Sequence, residues 1–269
     1  MNLELTASVN HIFENVKTIT GKDIQLIEKP DLAAYAMIKI ARKNMQSHCL
    51  YYKPGYSKVI NHLIAHECGH ILRIFGVPEE CRLVPYTNDQ IKLRALSKIE
   101  VQIENLSKVI PFEKLAQVVN MWYAGLVRQL TNYPTDIMIE QWLYNDYPEL
   151  RSYQAHSLKQ QYDEAVVGLS SRVEAITPRK IFDASNGMNY AFFNIISTML
   201  NDSDYLRRYE RSIYRNIGSK LVLIRRSSED NYRGDIDTIN RWAEDLDISD
   251  WFAWRNFENV PDNYMSTFG

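Results

Sequence analysis

Residues 59–75 constrain this chain more than any other stretch. Val59, Ile60, Leu63, Ile64, Ile71 and Leu72 recur at helical spacing around His66-Glu67-Cys68-Gly69-His70. Two histidines four apart on a helix share one face, separated by about 6 Å of rise. Both imidazoles can therefore reach one ion. Glu67 is turned about 100° from His66, which lets it meet a water at that ion without being a ligand. This is the H-E-x-x-H arrangement of a zinc helix with its general base. Gly69 inside the helix costs about 1 kcal/mol relative to alanine, so it points to a close approach by another element or a ligand. Cys68, between the two histidines, is read as facing the protein. His62, one turn earlier, is read as a packed or solvated histidine, with a place in a cleft wall as the alternative.

The chain around this helix reads as α+β. Apolar Leu5, Val9, Ile12, Phe13 and Val16 predict a helix over 4–18 that ends near Gly21. Strand-like runs follow at 23–28, 34–42 and 47–52, with 43–46 as a hairpin loop between the last two. Residues 47–52 are the candidate edge strand for holding an extended peptide. Beyond the motif, helices are predicted over 89–109, 111–132 and, opened by Pro134, 134–144. After Pro148 the pattern is helical over 150–175, 178–201, 206–226 and 235–247. Trp122 and Tyr123 read as core, and Trp251, Phe252, Trp254 and Phe257 as docking the tail onto the body. The expected organisation is a unit over 1–150 carrying a helical insertion at 77–133, with a helical region over 151–269 packed on it.

Composition narrows the class further. With 269 residues, 45% hydrophobic and 24% charged, the chain can bury a full core as an ordinary globular protein. A net charge of −2 gives no general attraction to nucleic acid or anionic membrane. The exception is the basic run Arg207, Arg208, Arg211, Arg215, Lys220, Arg225 and Arg226, read as a solvated helix face, with a nucleic-acid or acidic-partner patch as the alternative. No apolar stretch is long enough to span a bilayer, and Met1-Asn-Leu-Glu-Leu lacks a secretory pattern. Three cysteines without C-x-x-C argue against a disulfide scaffold, so a cytoplasmic location is expected.

A hydrolytic zinc site needs a third protein ligand. Glu100 and Glu104 follow His70 on a charged helix near Lys92, Arg94, Lys98 and Lys108, which suits a surface. Asp136 and Glu140 lie four apart on a later helix. Glu140 is enclosed by Ile137, Ile139, Trp142 and Leu143, where an unpaired carboxylate is costly. The second pair is therefore preferred. One of its members would bind the ion and the other would accept the outer N–H of a ligating histidine. The order found in thermolysin-type zinc proteases makes Asp136 the ligand. The Ile139-Glu140 step favours Glu140, which is placed slightly ahead. A di-iron carboxylate bundle needs a second E-x-x-H, and the chain has none.

The segment Ala65-His-Glu-Cys-Gly-His-Ile-Leu72, the strand-like stretch before it and the Ile139-Glu140 step resemble the ImmA/IrrE-type zinc metallopeptidases over about residues 1–150. The resemblance implies a zincin-like catalytic core with a small sheet ahead of the motif helix. It also implies one Zn²⁺ held by His66, His70 and Glu140, with Glu67 catalytic, and an intracellular protein or peptide substrate, such as a regulator. Glu67 would take a proton from water and return it to the leaving amine, while Tyr133, Tyr144 or His156 stabilised the oxyanion. The competing expectation is a metal-binding regulatory module that sequesters a transcription factor or other partner without cutting it.

Overall fold

In the computed structural model, which describes residues 3–32, 34–56, 59–209 and 211–261, the chain is α+β and mostly helical. Met1 and Asn2 of the expected leader-free start lie outside the described residues. The first helix, α1 (Ala7–Thr20), begins where Thr6 caps the Val9 amide. It ends at Gly21, whose φ of 70° allows its N–H to close on the Lys17 carbonyl. Val9, Ile12 and Val16 form its buried stripe.

Three strands follow, β1 (Asp23–Glu28), β2 (Ala36–Lys39) and β3 (Ser47–Tyr52), in the spatial order β1-β3-β2. β3 pairs parallel with β1 and antiparallel with β2. The expectation that Ser47–Tyr52 is the sheet edge is therefore overturned, because β3 enters between β1 and β2 and pairs with both. β2 is an edge instead, and it is shorter than the sequence suggested. Past Lys39 the Ala41 amide leaves the ladder and donates to His48 Nδ1 at 3.0 Å.

The motif helix α2 (Ile60–Phe75) runs to Gly76, and a strand β4 (Leu83–Tyr86) comes after it. The predicted helix 89–109 is two short ones, α3 (Asp89–Ser97) and α4 (Glu100–Leu106). Between them the Lys98 and Ile99 amides turn back onto the Ala95 and Leu96 carbonyls, and Ile99 is buried in the break. The largest departure is α5 (Phe112–Asp146), one 35-residue helix with Pro134 inside it. Pro134 removes only one helical hydrogen bond. Buried Leu130, Thr131, Thr135 and Ile137 on either side keep the helix continuous through it.

The helical remainder comprises α6 (Arg151–Val167), α7 (Ser171–Ala175), α8 (Arg179–Leu200), α9 (Ser212–Ser227) and α10 (Tyr232–Asp245). The basic run starts before α9, and four of its seven residues meet acids, three of them on other elements. Arg211 pairs with Glu174, Arg207 with Asp204 and Lys220 with Asp245, while buried Arg225 pairs with Asp235. The tail docks as the aromatic cluster predicted. Trp251, Phe252 and Phe257 are buried, and β5 (Ala253–Asn256) pairs antiparallel with β4. Among the described residues no helix is long and apolar enough to cross a membrane.

Two apolar clusters fill the molecule. One gathers α8, α9 and α10; the other gathers α1, the three-stranded sheet and α2. α5 belongs to both, giving Leu126, Leu130 and Ile137 to the first and Ile139 and Leu143 to the second. Asp136 and Glu140 sit where it passes from one to the other.

Candidate metal centre

His62, His66 and His70 form a line one turn apart along α2, and Asp136 and Glu140 face them from α5. The two helices approach closely because Gly69 has no side chain. A Cβ there would stand 2.6 Å from Ile139 Cγ2. The glycine thus has the neighbour that its place in a helix suggested.

His66 Nε2 is 3.5 Å and His70 Nε2 is 3.3 Å from the same Asp136 Oδ1. That oxygen is buried and lies within ion-pair distance of both rings. The three atoms pair with one another and also face a common point. Ligands held about 2.0–2.1 Å from a tetrahedral zinc ion stand about 3.3 Å from one another, close to the spacing found. His66, His70 and Asp136 thus fit a metal ion, their ligand atoms all lying within 4.8 Å of one another.

Glu140 is placed differently. Its Oε1 is 2.8 Å from His66 Nδ1, the ring nitrogen that faces away from Asp136. His62 Nε2 lies 2.9 and 3.1 Å from its two oxygens, and Gln154 Nε2 donates to Oε2 at 2.5 Å and to the Glu140 carbonyl at 2.9 Å. His62, His66 and Glu140 also lie within ligand reach of one another, but their contacts are ordinary hydrogen bonds. With three side chains engaging its carboxylate, Glu140 anchors His66 from behind and directs Nε2 toward Asp136.

The electrostatics agree with this division. Burial opposes ionisation of both acids. Hydrogen bonds from His66 and His70 still hold Asp136 below the usual carboxylate range, and the charge and hydrogen bond of His62 do the same for Glu140. Burial disfavours the His66 imidazolium, yet Asp136 and Glu140 raise its pKa well above that of a free imidazole. A proton and a cation therefore compete for the place between His66 and Asp136. Burial lowers the pKa of His70, favouring the neutral ring that binds metal.

Glu67 is 3% exposed. It accepts the Ile38 amide of β2, while its Oε2 has no hydrogen-bond partner among the described residues. Burial pushes its pKa up to about 8 against the pull of His66. No family model, curated protein or solved structure matches the chain. Its chemistry has to be read from this site.

A cleft of about 560 Å³ opens over His66, Glu67 and Asp136, walled by the edge of β2 and by α5, α6 and α8. Of the three side chains expected to face an oxyanion, only Tyr133 lines it. His156 is exposed near the Ser152 carbonyl, and Tyr144 packs beside the Arg151 guanidinium. Burial and the nearby Asp136 charge raise the Tyr133 phenol, which keeps its proton and donates to Asn189 Oδ1 at 3.0 Å. Glu100 and Glu104 are exposed on α4, apart from the cluster. Cys68 is buried in the apolar cluster behind α2. His62 is fully packed and also reaches the cleft wall. Gln154 was not anticipated, and nothing in its neighbouring sequence marks it.

Proposed function

We propose that the chain is a zinc-dependent peptidase with a zincin-like core, in which His66, His70 and Asp136 hold the ion. The observation that carries this reading is the convergence of two imidazole Nε2 atoms and one carboxylate oxygen beside a buried glutamate. Glu140, first favoured as the third ligand, becomes the group that orients His66, because its oxygens are already committed.

Bound zinc supplies Lewis acidity, making water more acidic and polarising a carbonyl. The chain's own groups then handle geometry and protons. Glu67 Oε2 faces no competing donor, so it can take the proton of the attacking water and deliver it to the departing amide nitrogen. The Tyr133 hydroxyl, turning its one proton away from Asn189 Oδ1, would donate to the carbonyl oxygen as it gains charge. The edge of β2 borders the cleft at Ala36 and offers backbone groups to an extended peptide by strand addition. The strand that serves is thus β2 and not β3.

The test compares wild type with Glu67→Gln for zinc content and for cleavage of a quenched-fluorescence peptide library. Glu67→Gln should keep its zinc and cut at least about 100-fold more slowly. Equal cleavage by both proteins would overturn the assignment of Glu67. Zinc binding without cleavage by either would turn the protein into a metal-binding module.

A further inference from the structure

We propose that the cleft recognises a carboxylate on its substrate through Arg128, an inference that names the substrate class for the peptidase reading and rests on it. Arg128, Asn132 and Asp136 follow one another at four-residue spacing along α5, and all three line the cleft. The helix therefore carries a guanidinium about 12 Å of rise away from Asp136, on the same face.

Arg128 is exposed, and no ion pair or side-chain hydrogen bond reaches it among the described residues. Arg94, Arg172, Arg208, Arg215 and Arg226 are likewise without a side-chain partner among the described residues. Arg128, however, is the arginine that lines the cleft, and several others are committed. Arg73 holds Asp230 and Asp235, Arg179 holds Glu174 and Asp183, and Arg211 holds Glu174. The acid of the cleft outside the metal group, Glu164, is occupied by the Tyr35 hydroxyl and by Gln160.

The wall beside Arg128 is neutral and internally satisfied. Gln129 Nε2 donates to Asn189 Oδ1 at 2.8 Å and to the Ser185 carbonyl at 3.0 Å, and Ser185 Oγ donates to Gln129 Oε1 at 2.7 Å. These groups neither neutralise the guanidinium nor compete for its ligand. A planar guanidinium pairs best with a carboxylate, through two parallel hydrogen bonds. An extended peptide advances about 3.3 Å per residue. The carboxylate therefore belongs within about four residues of the bond at the metal. Two sources fit, an Asp or Glu side chain within the peptide or the free C-terminus of the substrate.

The experiment uses the zinc-loaded full chain and a set of fluorogenic octapeptides. Each carries Glu or Gln at successive positions, with either a free or an amidated C-terminus. Wild type should prefer one Glu peptide or the free C-terminus about 10-fold in kcat/KM. Arg128→Gln should erase that preference, and Arg128→Glu should reverse it toward a Lys-containing peptide. A preference that survives amidation assigns an internal acid; one that amidation abolishes assigns the C-terminus. The same ratios in wild type and Arg128→Gln would overturn the proposal.

Peptide binding to Glu67→Gln, followed by fluorescence anisotropy, separates the two layers. An Arg128-dependent preference for acid in binding, with no cleavage by wild type, would keep this inference and remove the peptidase reading. No such preference in binding or in cleavage would remove the inference.

Discussion

Glu140 accepts from His62, His66 and Gln154, which makes it the most heavily engaged side chain of the site. Replacing it with Gln weakens the anchor on His66 without deleting a ligand, so zinc affinity should fall about 10–100-fold. Competition with a fluorescent chelator measures this, and an unchanged affinity would detach Glu140 from the centre. His66, Glu67 and His70 were legible in the sequence because helical spacing alone places them. The order of Asp136 and Glu140 was not. It depends on how α5 is rotated against α2, and the packing of Ile139 on Gly69 sets that rotation. Away from the site, buried His48 accepts the Ala41 amide through Nδ1 and lies 3.1 Å from Thr20 Oγ1 through Nε2. Burial lowers its pKa to about 4. Between that value and its unfolded value near 6.5 the unfolded chain binds more protons, so stability is present above about pH 6.5 and is lost as pH falls through 4. The shift is worth roughly 3 kcal/mol. His48→Asn, which can still accept the Ala41 amide, should flatten that acid limb in urea titrations. An identical pH dependence in both proteins would argue against a neutral His48.

At the scale of elements, α2 and α5 form the working pair. Gly69→Ala would drive a methyl into Ile139, at a cost of about 1–3 kcal/mol in overpacking. It should also separate Asp136 from His66 and His70, so thermal stability and zinc affinity fall together. A loss of stability with zinc affinity intact would show that the helix spacing does not set the site. Strand β1 and helices α1, α2 and α8 follow their sequence patterns within a few residues. The breaks did not. Pro134 announced a helix start, and buried neighbours on both sides overrode it. The centre of the sheet was also hidden, since only the parallel pairing of β3 with the earlier β1 decides that β3 lies in the middle.

At the scale of the whole molecule, a buried ion cluster ties the motif helix to the far end of the chain. One turn beyond His70, Arg73 holds fully buried Asp235 of α10 at 2.5 and 2.8 Å, and Arg225 of α9 joins it at 3.1 Å. Asp235→Ala would leave buried arginine charge without its partner and should cost about 3–5 kcal/mol. Chemical denaturation measures the loss, and a cost under about 1 kcal/mol would mean the cluster is solvated. The basic run is exposed as a solvated face would be, with Arg225, drawn into this cluster, as the buried exception. The acids that meet Arg211, Lys220 and Arg225 come from other elements, so a window of local sequence showed those charges without their partners. The most direct measurement on the site is zinc content by elemental analysis of wild type, His66→Ala, Asp136→Ala, Glu140→Gln and Glu100→Ala. About one zinc per chain is expected in wild type and Glu100→Ala, reduced occupancy in Glu140→Gln, and none in His66→Ala or Asp136→Ala. Full zinc in Asp136→Ala, or none in folded wild type, would contradict the centre described.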